Sequence, residues 1–444
     1  MKLKYIFGGA ALALAFIASA QADVTVNITG ATAFRGATLK SIRAKYLAAG
    51  TPLFKYAHDQ ASGSYSGATR AIFIGTFPGV AGTTTIRCCF TGSVEGIRAL
   101  IPGVTDPLPP TYYPTSVLDG TTATSGGAEL AFNDAKTDLT GAAHGAVTDT
   151  SHIAFSDVKK ASTPYGGASL LPADPKVGVI VFTMMGSNGC PISNITSQQF
   201  RALLSGGYQP LSMFTGNSTD TDLIFATGRN DGSGTRTTYL AETGYGITKA
   251  VKQYVTNVSS NTTLTTIQLV PAGGLNSPAL PGQSASNAST VWGLDIAGNG
   301  GYNSGSTLKA DLGKTGASVT VLDENGDDTF GSPVNATLVT WISVGDAAGA
   351  KTAGARLLGY NGVTLDLAGT SNALSTADIA KVTNGSYTAW GYENMYRRND
   401  ITSGDALTVY NGLYGAIPAN IGTSGIKSAD MAVFRQVDGG TVAP

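Results

Sequence analysis

From Val24 to Ile28 apolar and polar positions alternate with the period of a strand, and a turn from Gly30 to Arg35 that opens on small residues then leads into an amphipathic stretch ending near Leu47. Ile42, Tyr46 and Leu47 fall on one side of that stretch, which predicts a helix, so the segment reads as strand, tight turn, helix. Val177 to Met184 is almost continuously apolar, as expected of a strand covered on both faces, and its place in mid-chain makes it a domain centre or a hinge. Thr196 to Leu204 predicts a second helix and Leu223 to Thr227 another strand, followed by a turn rich in Gly and Asp. Such alternation of helix and strand predicts an α/β architecture. Two stretches interrupt it, Pro102 to Thr150 and Asn257 to Gly305, both loop-rich and longer than ordinary connections. No repeat of fixed period is present, which argues against a solenoid or propeller.

The N-terminal pattern is of another kind. Lys2 and Lys4 precede an apolar run from Ile6 to Ile17 that is too short to span a bilayer, and Ala20 and Ala22 complete a small-residue cleavage pattern. A secretory signal over residues 1–22 is expected, with the mature chain starting at Asp23 in the periplasm or outside the cell. No cysteine follows the cut, so no lipid anchor is indicated, and no later apolar stretch reaches the length of a membrane span. Roughly 420 residues remain, more than one hydrophobic core usually serves, so two domains are expected.

Only 13% of residues are charged while glycine reaches 58, so surface polarity must come from Ser, Thr, Asn and the backbone. A net charge of -1 argues against nucleic acid as a partner and provides no polybasic membrane patch, so any anion site must be local. Three cysteines, Cys88, Cys89 and Cys190, are too few for a disulfide framework and lack zinc spacing. A pair involving Cys190 or three free thiols both fit, and export favours the oxidised pair.

The segment with the most chemistry is GRNDGSGTRTTYL, Gly228 to Leu240, where a strand ends and a helix begins at about Ser233. That geometry suits anions. Ser233 is placed to cap the helix, the amides of Gly234 and Thr235 fall in the first turn, and the helix dipole favours negative charge there. Arg229, just ahead of the turn, adds a planar two-donor fork.

This segment resembles the R-x-x-G-S-G-T signature of phosphate-binding proteins of high-affinity phosphate ABC transporters, a family of type II periplasmic binding proteins. The resemblance places Arg229, Ser233, Gly234 and Thr235 on phosphate-contacting positions. Three further segments are similar to the family in chain order. ITGATAFRGA, Ile28 to Ala37, puts Thr32 and Phe34 on contacting positions, with Ala33 inserted between them and Arg35 where the family carries proline. GSVEGIRAL, from Gly92, puts Ser93 at a helix start, with Glu95 expected to face solvent. HIAFSDV, His152 to Val158, puts Asp157 toward the ligand. A carboxylate there accepts a hydrogen bond from a protonated anion such as hydrogen phosphate, and sulfate has no proton to offer. A site built on such a bond rejects the analogue lacking it by about 10^4-fold. Gly298 to Gly301 and NGSYTAW, Asn384 to Trp390, are similar to further family segments.

The family fold implies two α/β lobes, one from residues 23–180 plus 341–444 and the other from 181–340, joined by two crossing strands with the ligand between them. The expected function is capture of inorganic phosphate by a monomer that hands it to an ABC permease, without catalysis and without a cofactor. Alternatives of other kinds are a binder of sulfate, molybdate or tungstate, and a secreted interaction protein that keeps the fold without transport. His58, His144 and His152 lack metal spacing, and Asp323 to Asp328 carries its glycine two positions early for a calcium loop and lacks the closing glutamate, so no metal is expected.

Overall fold

A computed structural model describes residues 23–49, 54–59, 65–101, 112–114, 130–131, 146–256, 262–272, 292–367, 374–422 and 425–444. The expected signal segment and most of the 102–150 stretch lie outside the described residues, as does much of 257–305. Among the described residues no helix is long and apolar enough to cross a membrane.

The chain is α/β. In chain order the elements that place the site are β1 (Val24–Gly30), α1 (Arg35–Ala48), β2 (Lys55–His58), β3 (Arg70–Gly75), β4 (Thr84–Cys89), α2 (Ser93–Ala99), β5 (Ile153–Ser156), β6 (Lys176–Gly186) and α3 (Ser197–Gly206). They continue with β7 (Tyr208–Pro210), β8 (Leu223–Ala226), α4 (Gly234–Glu242), α5 (Gly305–Leu312), β9 (Ala336–Ser343), α6 (Val344–Thr352), β10 (Arg356–Tyr360), α7 (Thr376–Thr383), β11 (Trp390–Arg398) and α8 (Gly404–Asn420). The strands share one sheet in the order β7-β8-β9-β6-β11-β5-β1-β4-β3-β2.

Two hydrophobic cores divide this sheet. The first gathers Val26, Ile28, Ile42, Phe73, Phe155 and Leu413, with α8 laid against α1. Phe155, wholly buried, adds about 2–3 kcal/mol of transfer free energy and fixes the end of β5 just before Asp157. The second core gathers Phe182, Leu203, Phe225, Tyr239, Leu338 and Trp341. Two strands belong to both. β6 contributes Val177 to the first core and Val179 to Met185 to the second, and β11 contributes Met395 to the first and Trp390 to the second. Every residue of β6 after Lys176 is buried, in line with its unbroken apolar pattern.

The return crossing differs from the expected one. Trp341 lies inside β9, whose ladder joins it to β6 at Met184, and β10 then adds Leu358 beside the same residue. Residues 341 to about 389 therefore stay with the second core, including Val344, Leu358 and Tyr387, and β11 brings the chain back. Hydrogen-bond ladders, invisible in local patterning, hold the chain there for two more elements.

Cys88, Cys89 and Cys190 are buried and form no disulfide among the described residues, contrary to the oxidised pair expected. Cys88 and Cys89 are neighbours on β4, where successive side chains point to opposite faces, and Cys190 packs in the other core.

Candidate anion-binding site

Two turns from different cores meet where β1 and β8 end. Gly30, at φ 113, closes β1, and a Cβ there would overlap the Phe155 carbonyl oxygen, so only glycine fits. The Ala31 amide then donates to Phe155 O at 2.8 Å, setting the turn that carries Thr32 and Phe34. Phe34 takes the N-cap position of α1 and stacks on Phe155 with ring centroids 6.0 Å apart.

The Arg229 segment is held from below by a clamp of residues distant from it in sequence. Tyr302 N–H donates to Gly228 O at 2.9 Å and Asn230 N–H to Tyr302 O at 3.0 Å, so the Gly298 to Gly301 loop runs beside it as a second ribbon. Gln253 Nε2 donates to Arg229 O at 3.1 Å and to Gly300 O at 2.6 Å, and Tyr239 OH donates to Gln253 Oε1 at 2.7 Å. Arg236 binds Asn299 through its main-chain and side-chain oxygens. These partners lie up to 73 residues from Arg229, beyond the reach of any motif window.

Arg229 itself is 2% exposed. Its Nε donates to Tyr302 O at 3.0 Å, and its Nη2 donates to Asn303 O at 2.8 Å and to Thr32 Oγ1 at 3.2 Å. The last bond joins the two cores. Burial pulls the guanidinium down to about 10, against Asp346 and Asp157, which raise it, so it stays charged at neutral pH.

Ser233 occupies the N-cap of α4 yet makes no capping bond, contrary to the cap expected. Thr196, Ser304 and Ser375 cap their helices, whereas Ser343 and Ser403 do not. Thr196 accepts from Gln199 N–H at 3.2 Å, and Ser375 from Asp378 N–H at 3.0 Å. The Ser233 hydroxyl, 1% exposed, has no hydrogen-bond partner among the described residues. Leaving a buried hydroxyl unpaired costs about 1–3 kcal/mol, so its setting fits a polar ligand. The first helical bond of α4 runs from Thr237 N–H to Ser233 O at 3.1 Å, which leaves the amides of Gly234 and Thr235 ahead of the ladder.

The same helix start rests on the first core's residues. A Cβ on Gly234 would overlap Ser93 Oγ and come within 2.9 Å of Asp157 Cβ, so glycine is needed for this approach. Val94 N–H donates to Gly232 O at 3.1 Å, a second link between the turns. Ser93 Oγ accepts the Asp157 amide at 3.1 Å, and Asp157 is 2% exposed with Oδ1 unpartnered. Burial pushes the Asp157 carboxyl up, while a hydrogen bond from Glu393, the charge of Arg229 and Ser93 pull it down.

Thr32, Phe34, Ser93 and Asp157 thus gather from the first core and Arg229, Ser233 and Gly234 from the second. Thr235, 2% exposed, lies in the first turn of α4. Glu95 departs from its expected solvent-facing place. Its Oε2 accepts from Arg98 Nε at 2.8 Å, and a Cβ on Gly232 would come within 2.8 Å of its Cγ, so it lies folded between its own helix and the opposite turn. Next to it Asp231 is pushed up to about 6 by burial, with Arg236 opposing and Glu95 adding to the shift. A cleft of about 500 Å³ opens beside Thr32 and Phe34, lined also by Arg35, Ser306, Lys309 and Asp346. Arg35 Nη2 donates to Ser306 Oγ across it at 2.8 Å. Among the described residues no cluster of His, Cys, Asp and Glu could hold a metal ion.

No family model matches the chain, and no curated protein matches it. Among solved structures, an ABC-type phosphate transport receptor from Vibrio cholerae is 12% identical, covering 90% of this chain and 98% of its own, with a TM-score of 0.40. PstS from Borrelia burgdorferi is 12% identical over 91% of this chain and 100% of its own, with a TM-score of 0.37. A phosphate-binding protein from Stenotrophomonas maltophilia is 14% identical over 92% of each chain, with a TM-score of 0.35.

Proposed function

We propose that this chain is an exported binding protein that captures inorganic phosphate between its two halves and passes it to an ABC transporter. The observation that carries the reading is the meeting of one buried guanidinium, one unpartnered hydroxyl and the first-turn amides of α4 with an unpartnered carboxylate oxygen from the other core. Donors of that kind replace the water around a tetrahedral oxyanion, and the carboxylate accepts the proton that hydrogen phosphate retains and sulfate lacks. Thr32, Phe34, Ser93 and Asp157 face the anion from one side, and Arg229, Ser233, Gly234 and Thr235 from the other. β6 and β11 act as the hinge, and the cleft beside Thr32 is the route in. The role is capture and release, with the periplasm or the cell exterior as its place.

Thermal unfolding of residues 23–444 with and without phosphate tests this reading. Phosphate at 100 times its dissociation constant stabilises the folded chain by about 2.7 kcal/mol, a rise in Tm of several degrees, and sulfate at the same concentration leaves Tm unchanged. Equal shifts with both anions, or none with millimolar phosphate, refute it.

A further inference from the structure

Glu393 lies in mid-strand in β11 and belongs to none of the segments that mark the anion site in the sequence. The antiparallel register of β5 and β11 pairs Phe155 with Met395 and Ser156 with Asn394, and one further step sets Asp157 opposite Glu393. Asn394 Nδ2 clamps that end of the pair, donating to Ser156 O at 3.0 Å and to Tyr392 O at 2.9 Å. A Cβ on Gly391 would lie 2.9 Å from Asp157 O, so β11 runs hard against this residue. Glu393 is 0% exposed, and among the described residues no N–H or hydroxyl donor is bonded to either of its oxygens.

Among the described residues no cation is bonded to it. Across β11, β6 presents Gly178, and the Lys176 ammonium sits 5.0 Å from the Tyr392 ring and 3.5 Å from Asp174. Arg435 is spent on Glu242 at 2.8 Å and on the face of Trp390. From the second core, Arg229 faces Asp157, with its Nη2 on Thr32. Two buried carboxyls set face to face cannot both ionise, and one proton between them turns a repulsion into a charge-assisted hydrogen bond.

We propose that Glu393 is a neutral acid that donates its proton to one oxygen of Asp157, fixing Asp157 as an ionised acceptor whose other oxygen is turned to the anion. Glu393 is then a positioning residue, and it sets the site's demand for a protonated ligand. Burial raises both carboxyls, but at Asp157 the bond from Glu393, the charge of Arg229 and Ser93 oppose it, whereas at Glu393 the negative charge of Asp157 adds to it and holds the proton well above the usual carboxylate range, so the proton rests on Glu393. As pH rises far enough to remove that proton, two carboxylates confront the anion and binding weakens. The reading of Asp157 as a ligand acceptor belongs to the proposed phosphate site; the shared proton does not depend on it.

The test joins a ligand-free readout to a binding one. Infrared difference spectra of the ligand-free chain at neutral pH are expected to show the C=O stretch of a protonated, buried carboxylic acid that disappears in Glu393→Gln. Glu393→Gln keeps an N–H donor for Asp157, so phosphate affinity at neutral pH stays within about threefold of wild type while the alkaline weakening is lost. Glu393→Ala loses about tenfold or more. An infrared difference between wild type and Glu393→Gln without that band overturns the proposal, whatever the chain binds. An alkaline profile identical in wild type and Glu393→Gln overturns it as well. A band that vanishes as expected in a chain that binds no phosphate leaves the proton pair standing and removes the phosphate reading alone.

Discussion

The two turn-to-helix junctions that frame the site are built differently. At the first, the side chain of Phe34 is committed to Phe155, and the hydroxyls of Thr32 and Ser93 already accept bonds from Arg229 and from the Asp157 amide. At the second, Ser233 withholds its hydroxyl from its own helix and Arg229 brings a full positive charge, with the amides of α4 ahead of the ladder. The second core thus supplies attraction for any oxyanion. The first supplies placement and, through Asp157, discrimination. Substitutions in the second core should change how tightly anions are held, and those in the first should change which anion is held.

The largest effect is expected at Arg229. Arg229→Met removes the guanidinium and should lower phosphate affinity about 100- to 1,000-fold by calorimetry, with a loss of similar size for any other oxyanion that binds. A loss confined to phosphate would break the division. Asp157→Asn comes next: phosphate affinity should fall about tenfold or more while sulfate affinity rises, because an amide N–H now meets an anion without a proton. An unchanged ratio would remove discrimination from the first core. Ser233→Ala should cost about tenfold for both anions, yet leave the Tm of the free chain within about 1 °C of wild type, since no cap is lost. Thr196→Ala is its control, losing a real cap and about 1 kcal/mol of stability.

The smallest effect concerns Asp231. Its carboxyl holds a proton to about pH 6 in the folded chain and to about pH 4 in the unfolded one. Ionisation therefore favours the unfolded chain as pH rises between these values, and the deficit persists above them. Asp231→Asn should raise Tm by about 1–3 °C at pH 7.5 and leave it unchanged at pH 4, read by thermal melts at both values.

How much of this was legible in the sequence depended on range. Strand-turn-helix units were, because period and turn chemistry are local: β1 and α1, α3, and β8 followed by α4 fall close to where patterning placed them. The grouping of Arg229, Ser233 and Gly234 at one helix start was legible because one short segment carries all three. Gln253 and Tyr302 were not, since their role is to hold a loop by bonds spanning 24 to 73 residues. Glu393 was hidden for the same reason, as nothing in a mid-strand glutamate announces which residue the ladder sets against it. The return of the chain at β11 rather than near 341 is a further case: the pairing of β9 and β10 with β6 decided it, and composition does not change there.

A crystal structure of residues 23–444 grown with phosphate tests most directly whether the two cores share one anion. One phosphate is expected, touched at once by Arg229, Ser233 Oγ and the Gly234 and Thr235 amides from the second core and by Asp157 from the first. A phosphate held by one core alone, or seated only among Arg35, Ser306 and Lys309 in the neighbouring cleft, would contradict the account.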